Sequence, residues 1–425
     1  MPMSPEFEQR LLPHLEDIIE TFGTPFHIYD ETGITDNCRR LKELFGWNPG
    51  YREFFAVKAL PNPRIMQIMM DEGFGFDCSS IPELLLARQV EASPEDIIFT
   101  SNNTGKPEFD AVKQDGGCIL NLDDISMIDQ VEDFPELIFF RYNPGASKDG
   151  NDIIGKPVEA KFGIRADEIA DAYRRAIDRG ARRFGLHTMV CSNVLDYGYY
   201  VDTVRMLLNL VARINKQVGI RIESINTGGG IGIPYRPKVQ PFDLESLAEE
   251  NRSLYDDFEA KHGYAPNLLM ELGRFMGGPH GVLVATVINR MSKYREYVGV
   301  DASMSSLMRP GIYGSYHHIT VPGKEGEPRE TVDVVGSLCE NIDKFAIQRD
   351  LPRLKEGDHI LIHDTGAHGY AMGFNYNGSL RPQELLLRTD GSVELIRRAE
   401  TPDDYFATLQ YEEKILPAKK MQKAG

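Results

Sequence analysis

The sequence lacks the features of a membrane or secreted protein. It contains no run of eighteen apolar residues, whereas a helix that spans a bilayer needs about 20. Its opening, MPMSPEFEQR, has neither the positively charged region nor the apolar region of a signal peptide. We therefore expect a cytoplasmic protein that does not act at a membrane.

Cysteine patterns and metal-binding patterns are also scarce. The five cysteines are an odd number, are widely spaced and form no CxxC pair, which argues against a disulfide framework and against a zinc site. The ten histidines form no HExxH motif, and the adjacent His317 and His318 would face opposite sides of a strand. We expect no bound metal.

Basic residues are fewer than acidic residues in this chain. The net charge of -17 and the pI near 5.1 argue against binding to nucleic acid or to an anionic membrane surface. The 425 residues are enough for two domains, and the composition is that of an ordinary globular protein.

Most of the first 280 residues alternate between short apolar runs and amphipathic helical patterns. The helical patterns, such as 81–90, 166–180 and 202–217, have apolar residues three and four positions apart. Such alternation implies parallel strands, and eight units in roughly 230 residues fit a closed barrel better than an open sheet. We predict an α/β fold with a TIM-like (β/α)8 barrel. The predicted strands are 52–59, 74–79, 96–101, 118–122, 137–143, 184–190, 220–227 and 268–272, and a helix at 13–21 and a strand at 25–29 precede them.

A second, mostly β domain is predicted after the barrel. From about Gly281 onward, runs such as VLVATVINRM and HILIHDT follow one another without long helices between them. We predict that residues 30–280 form the barrel and that residues 1–29 and 281–425 form the β domain. The Lys-rich tail at 417–425 is predicted to be mobile.

Lys58 is the first candidate for chemistry. It lies at the end of the apolar run EFFAVKA and before a proline-containing turn, where a strand opens into a loop and the ammonium group partly loses its water. Such a lysine should lose its proton easily, and the uncharged amine can form a Schiff base with a carbonyl substrate or with pyridoxal phosphate. Most lysines beside strands are solvated surface residues, so the hypothesis depends on the residues that accompany Lys58.

Polar residues also end the other predicted strands, where the functional side chains of a barrel project. Successive glycines in NTGGGIG let backbone N–H groups converge on an anion, although tight turns need glycine too. Ser192 could bind the same phosphate, Glu271 could keep a pyridinium nitrogen protonated, and Arg274 could neutralise a phosphate or a substrate carboxylate. A surface ion pair is the alternative for Glu271 and Arg274. The strand-end residues are Asp77, Ser101, Asn102, Arg141, Asn143, 187–192, 226–232, Glu271 and Arg274.

The β domain carries two further candidate sites. In RPGIYGSYHH, Arg309 and Tyr313 are four residues apart and could together bind a carboxylate, or the arginine could stack on an aromatic ring. In GSLCENIDKFA, Cys339 precedes Glu340. Most cysteines are inert core residues, so a role for Cys339 needs further support.

Seven motifs occur in an order that resembles one family. They are AVKA, FDCSS, GGGIG, ELGR, MRPGIYGSYH, SLCEN and DTGAHGYAMGFNYNG. They resemble the fold type III pyridoxal phosphate decarboxylases, and diaminopimelate decarboxylase most closely, over about residues 25–398. The resemblance implies an alanine racemase-like architecture, a barrel with a β domain, and pyridoxal 5'-phosphate as the cofactor.

The resemblance also implies the roles of the catalytic and cofactor-binding residues. Lys58 would hold the cofactor covalently, and Cys339 would return a proton to the substrate carbon after carbon dioxide has left. The implied cofactor-binding residues are Lys58, Asp77, Met189, Ser192, Gly229, Gly230, Glu271, Gly273, Arg274 and His368.

The resemblance further implies how a substrate is recognised. Glu340 would contact the distal amino group, and Arg274, Arg309 and Tyr313 would bind the distal carboxylate. The β domain would supply substrate and dimer-interface residues, because Cys339 and Glu340 would reach the cofactor of the other subunit. A homodimer with shared sites follows.

Three positions depart from the family pattern. Met189 stands where most members have a histidine over the pyridine ring, and a thioether can cover a ring but cannot hydrogen-bond as imidazole does. His368 stands at the tyrosine of a GAY motif, and Leu272 replaces the proline of EPGR. Tyr370 or Tyr376 could compensate for the missing tyrosine.

The leading hypothesis is a decarboxylase that converts meso-2,6-diaminopimelate to L-lysine and carbon dioxide, the last step of lysine biosynthesis. The alternatives are a related decarboxylase of another basic amino acid or of carboxynorspermidine, a racemase with the same cofactor, and a cofactor-binding protein without activity. Intact Lys58 and Cys339 argue against the last.

Overall fold

A closed barrel and a second, larger sheet make up the protein. The computed structural model describes residues 2–150 and 155–409. The tail at 417–425, which we predicted to be mobile, lies outside the described residues. Within the described ranges, no helix has both the length and the apolar surface needed to cross a bilayer.

Two short helices, rather than the single helix predicted at 13–21, begin the chain. Ser4 caps the first helix by accepting a hydrogen bond from the Phe7 N–H, and Phe7 and Leu11, one turn apart, are buried against the second sheet. The prediction missed this helix because seven residues give too little periodicity to identify. The first elements are α1 (Pro5–Leu11), α2 (Leu15–Phe22), β1 (Phe26–Asp30) and α3 (Glu31–Phe45).

Eight parallel strands form the barrel, as predicted. They are β2 (Arg52–Ala56), β3 (Gly75–Cys78), β4 (Ile97–Phe99), β5 (Ile119–Leu122), β6 (Leu137–Arg141), β7 (Arg183–His187), β8 (Ile222–Asn226) and β9 (Asn267–Met270). Arg52 of the first strand lies opposite Leu269 of the last, which closes the barrel. Most strands end earlier than predicted, because the polar residues at their carboxyl ends leave the sheet and form the loops.

Side chains on the strands alternate between the barrel interior and its wall. Phe54, Ile98, Phe139 and Leu269 pack together inside, whereas Phe55 packs outward against the helices. The predicted helices correspond to α5, α7 and α8, and α8 starts earlier because the Asp196 side chain caps it. The barrel helices are α4 (Pro63–Asp71), α5 (Ile81–Gln89), α6 (Lys106–Gln114), α7 (Ile169–Asp178), α8 (Tyr197–Val218), α9 (Leu244–His262) and α10 (Arg274–Gly277).

The mostly β second domain is also confirmed. Its sheet runs in the order β14-β13-β11-β10-β1-β16-β17, and β15 pairs with β10 and β12. β1, from before the barrel, is antiparallel to β10 and parallel to β16. The exact boundaries at residues 30 and 280 stay a prediction. The elements are β10 (Gly281–Ser292), β11 (Glu296–Val300), α11 (Arg309–Tyr313), β12 (Ile319–Thr320), β13 (Arg329–Val335), β14 (Lys344–Pro352), β15 (His359–Ile362), β16 (Gln383–Leu387), β17 (Val393–Arg397) and α12 (Pro402–Phe406).

Candidate active site

Lys58 lies in a turn at the carboxyl end of the barrel. The strand β2 ends at Ala56, and Val57–Ala59 form a 3-10 turn, so Lys58 follows the strand instead of lying in it as predicted. The N–H of His368 donates a hydrogen bond to the Ala59 carbonyl at 2.8 Å. This contact brings the β domain against the turn that carries Lys58.

Carboxylates at the barrel mouth stabilise the charged form of Lys58. Its Nζ lies 3.5 Å from Oδ2 of Asp77, and its side chain is 53% exposed in the single chain. Burial lowers the pKa of Lys58, but Asp77, Glu271 and Glu83 together outweigh it and raise the pKa. Because the side chain is half exposed, the loss of water is incomplete, so the expectation that Lys58 loses its proton easily was wrong for the free amine.

Glu271 is held as a buried, ionised carboxylate. Its Oε1 accepts a hydrogen bond from Asn226 at 2.7 Å, and its Oε2 lies 3.2 Å from Nε2 of His187. Burial acts to raise the pKa of Glu271, but His187, Lys58 and Asn226 lower it, and the net shift is downward. An ionised carboxylate at this position fits the predicted contact with a pyridinium nitrogen.

The charge of Glu271 acts on the neighbouring carboxyl group of Asp77. Burial and the neighbouring Glu271 raise the pKa of Asp77 to about 7, and Lys58 limits the rise. The charge of Arg141, which donates hydrogen bonds to Asn102 and to Asp123, also acts on both carboxylates. The barrel mouth therefore combines two carboxyl groups of different basicity with the amine of Lys58.

The glycine loop after β8 packs tightly against the end of β9. A Cβ at Gly229 would lie 2.2 Å from the carbonyl oxygen of Glu271, and Gly228 and Gly230 have positive φ, so side chains are excluded here. The Gly228 N–H donates to Asn226 Oδ1 at 2.9 Å, and the Gly229 N–H points at Met189 Sδ at 3.2 Å. These two N–H groups thus have protein acceptors, and the phosphate-binding role of the loop stays a prediction.

Gly273 allows the β9 end to approach the lysine turn. A Cβ at Gly273 would lie 2.7 Å from the Cβ of Ala59, closer than two carbon atoms can come without a shift. The contact keeps the segment that carries Glu271 and Arg274 beside the segment that carries Lys58.

Two buried arginines meet at one tyrosine. Arg274 donates hydrogen bonds to the Tyr235 hydroxyl and, at 3.5 Å, to Ser192 Oγ, while Arg309 donates to Ser315 Oγ at 3.3 Å. Their guanidinium carbons lie 5.7 Å and 5.6 Å from the centre of the Tyr235 ring. Among the described residues, neither arginine forms an ion pair with a carboxylate. Such a pair of guanidinium groups is suited to bind an anion.

His368 lies close enough to the arginine pair and to Lys58 for their charges to act on it. Its backbone is left-handed, with φ of 57°, a conformation that costs free energy in a residue other than glycine. Burial and the charges of Arg274, Arg309 and Lys58 lower the pKa of His368 well below its usual value. The imidazole is therefore neutral and can accept or donate a hydrogen bond at the mouth of the site.

The remaining predicted residues lie at the surface of the single chain. Cys339 and Glu340 are exposed, and the Cys339 N–H donates to Asn377 Oδ1 at 2.8 Å. Glu340 interacts with the Tyr376 hydroxyl and raises the pKa of that tyrosine. Tyr313 is 59% exposed. The catalytic and substrate-binding roles of these residues stay predictions.

Several residues of the site had no role predicted from the sequence. His187 and Asn226 stood among the strand-end residues, so their position was a signal that could have identified them as partners of Glu271. Tyr235 follows the glycine loop without a motif of its own. Glu53, whose Oε1 accepts a hydrogen bond from the Leu272 N–H, lies inside an apolar strand pattern and gave no signal.

Known proteins resemble the whole chain. Residues 31–278 match the family described as pyridoxal-dependent decarboxylase, pyridoxal binding domain. Protein TabA of Pseudomonas amygdali pv. tabaci is 49% identical over 97% of this chain and 97% of that protein. Diaminopimelate decarboxylase of Methanothermobacter thermautotrophicus is 35% identical over 91% of this chain and 92% of that protein. The crystal structure of diaminopimelate decarboxylase from M. jannaschii with L-lysine has a TM-score of 0.84 and 29% identity, and covers 94% of both chains.

The site agrees with these matches in its chemistry. It offers an amine at a strand end, an ionised carboxylate for a pyridine nitrogen, and buried arginines that suit a phosphate or a carboxylate. The residues present thus fit pyridoxal phosphate. The chain belongs to the fold type III pyridoxal-dependent decarboxylases, enzymes that bind pyridoxal phosphate.

Proposed function

We propose that the protein decarboxylates meso-2,6-diaminopimelate to L-lysine and carbon dioxide, the last step of lysine biosynthesis. The observation that carries the proposal is the pair Arg274 and Arg309, buried and without a carboxylate partner among the described residues. A buried guanidinium is costly unless an anion pairs with it. Diaminopimelate has a distal carboxylate that meets this need, whereas lysine, ornithine and arginine have none.

The relatives support the same class of substrate. One relative with 35% identity and one similar crystal structure are diaminopimelate decarboxylases, and the latter holds L-lysine. The relative with 49% identity carries a name that states no reaction. The choice of substrate therefore rests mainly on the arginine pair.

Residues of this chain would divide the work of catalysis. Pyridoxal phosphate supplies an electron sink for the charge left when the substrate loses its carboxylate. Lys58 would bind the cofactor aldehyde, and Glu271, kept ionised by His187 and Asn226, would hold the proton on the pyridine nitrogen. Met189 would cover the ring, and Cys339 would deliver a proton to the α-carbon.

We place Cys339 and Glu340 in the site of a second copy of the chain. In the single chain both residues are exposed. Cys339 contacts Asn377, and Glu340 contacts Tyr376, while the amine of Lys58 contacts Asp77 at the barrel mouth. The large apolar side chain of Ile342 is also exposed, at 44%, as expected for a surface covered in an assembly. A two-fold dimer would exchange these residues between its sites. The cytoplasmic location remains part of the same proposal.

The proposal is tested by incubating the cofactor-loaded enzyme with diaminopimelate, lysine, ornithine and arginine. We expect carbon dioxide and L-lysine from diaminopimelate. Carbon dioxide from the basic amino acids but not from diaminopimelate would reject the assignment, and a change of chirality without gas release would indicate a racemase.

The role of the arginine pair is tested by Arg309→Gln. Loss of a charge-assisted hydrogen bond to the distal carboxylate should lower kcat/KM for diaminopimelate by about tenfold or more. Arg252→Gln is the matched control, because Arg252 is an exposed arginine on α9, 4.0 Å from Asp256. Equal effects of the two substitutions would remove Arg309 from substrate recognition.

A further inference from the structure

An open groove at the protein surface reaches Arg309, one member of the arginine pair. It lies between the loop after the glycine turn and the segment around α11, and Tyr235, Arg236, Arg309 and Tyr316 line it. Its volume is about 290 Å³, far more than a single water molecule needs. None of the described residues that line the groove is acidic, although the chain as a whole carries a net charge of -17.

Two further arginines contact Tyr316, and one of them, Arg236, lines the groove itself. The guanidinium carbons of Arg236 and Arg349 each lie 4.0 Å from the centre of the Tyr316 ring, a distance that both can reach only from opposite faces. Arg349 also donates a hydrogen bond to the His317 carbonyl at 3.0 Å. Burial lowers the pKa of Arg349, Tyr316 raises it, and the nearby charge of Arg236 lowers it further. The two cations thus repel each other and, within the described residues, neither pairs with a carboxylate.

Tyr235 and Arg309 connect the inner part of the groove, at the arginine pair, with its outer part, at Arg236 and Tyr316. Both line the groove, and Arg309 also belongs to the pair that we assign to the distal carboxylate. Nε of Arg309 is buried and has no hydrogen-bond partner among the described residues. Arg274 and Arg309 at Tyr235, with Arg236 and Arg349 at Tyr316, therefore form a local concentration of positive charge in an acidic protein. An anion in the groove would offset their repulsion.

We infer that the groove binds a second anionic group of the substrate, carried beyond the carboxylate that Arg274 and Arg309 receive. The inference rests on the proposed function and specifies its substrate class. The class is amino acids that contain the diaminopimelate structure and carry a further acidic group at the distal end. Diaminopimelate itself is then a minimal substrate that fills the inner part alone. The stack on Tyr316 holds the two outer guanidinium groups in position to meet the additional anion.

The test compares two compounds on the cofactor-loaded enzyme. One is meso-diaminopimelate, and the other is its derivative with a carboxyethyl group on C6, which keeps the distal amino and carboxylate groups and adds a second carboxylate farther out. We expect kcat/KM to be about tenfold or more higher for the carboxyethyl derivative, because a charge-assisted contact is gained. Arg236→Gln should abolish this preference and change kcat/KM for diaminopimelate less than about twofold, while Arg252→Gln should change neither value.

The outcomes separate the inference from the proposed function. If diaminopimelate is decarboxylated but the carboxyethyl derivative is used no better, or if Arg236→Gln affects both compounds equally, the inference is wrong and the proposed function stands. If neither compound releases carbon dioxide, the proposed function is wrong. Binding of the two compounds, followed by the change in cofactor absorbance, then decides the inference: tighter binding of the carboxyethyl derivative that Arg236→Gln removes supports it, and equal binding overturns it.

Discussion

Glu53 and Leu272 form a buried pair whose coupling can be measured. Glu53 is fully buried, and its charge acts on the thiol of Cys38 in α3. Its Oε1 accepts a hydrogen bond from the Leu272 N–H, and its Oε2 has no partner among the described residues. The family pattern has proline at position 272, and proline carries no N–H. We predict that Glu53 satisfies the backbone N–H that leucine introduces.

A double-mutant cycle isolates this interaction. In Glu53→Leu, the Leu272 N–H is buried without an acceptor, which costs about 1–3 kcal/mol of unfolding free energy. In Glu53→Leu with Leu272→Pro, no N–H remains to be satisfied, while the apolar burial gained at position 53 is the same in both backgrounds. The coupling energy should therefore be about 1–3 kcal/mol. Urea unfolding of the cofactor-loaded protein at one protein concentration measures it.

The control for this cycle is Glu53→Gln. Glutamine keeps an oxygen that accepts the Leu272 N–H, so its coupling to Leu272→Pro should be close to zero. Amide exchange at Leu272 gives a second readout and should be faster in Glu53→Leu but unchanged in Glu53→Gln. A coupling below about 0.5 kcal/mol in the leucine cycle would refute the reasoning.

The same carboxyl group predicts a pH dependence. Burial raises the pKa of Glu53 well above its usual value, the Leu272 N–H lowers it, and Glu271 and Asp77 raise it further. The native state therefore keeps a proton that the unfolded chain loses above about pH 4.3, and stability falls as the pH rises beyond that value. Relative to the wild type, Glu53→Gln should gain stability over this range.

Three further predictions concern other groups. Burial raises the pKa of Asp364 to about 7, so its contribution to stability falls as the pH rises from about 4 to 7, and Asp364→Asn should gain up to about 4 kcal/mol at pH 8 in urea unfolding. Lys58→Ala should abolish the visible absorbance of the covalently bound cofactor, because the amine that binds the aldehyde is gone. If sites are shared, an equal mixture of Lys58→Ala and Cys339→Ala dimers, dissociated and reassembled, should recover about a quarter of wild-type activity, since half of the dimers are mixed and each has one complete site.

Each of these predictions has a contradicting result. Parallel pH profiles for Asp364→Asn and the wild type would show that the carboxyl group does not titrate as expected. A borohydride-reducible adduct that persists in Lys58→Ala would mean that another lysine carries the cofactor. A mixture no more active than its two parents would contradict the exchange of Cys339 between subunits, and full activity of Cys339→Ala alone would remove the thiol from the mechanism.

Local sequence patterns predicted the architecture well. The alternation of apolar runs and amphipathic helices identified all eight barrel strands, and the change of pattern near Gly281 identified the second domain. The short helix α1 was missed because its periodicity is too brief. Lys58 was predicted to lie in a strand, but the turn after Ala56 depends on contacts with His368 and Gly273 that are distant in sequence.

The candidate site was likewise predicted only in part. Motifs by themselves determined the chemical groups: a lysine, an acidic residue after β9, a glycine turn and the arginines at 274 and 309. Only the tertiary structure decided their state, because the charge of Glu271 depends on His187 and Asn226, and the raised pKa of Lys58 depends on carboxylates from other strands.

The sequence alone thus determined which elements form and which reactive groups they carry, since hydrophobic periodicity and motif order are local properties. The tertiary structure alone decided that two arginines distant in sequence meet at Tyr235 and that Arg236 and Arg349 both contact Tyr316. It also decided that Glu53 accepts a hydrogen bond from the Leu272 N–H. Such contacts join residues far apart in the chain, and the free energy of burying a charge or an N–H depends on neighbours that no local pattern identifies.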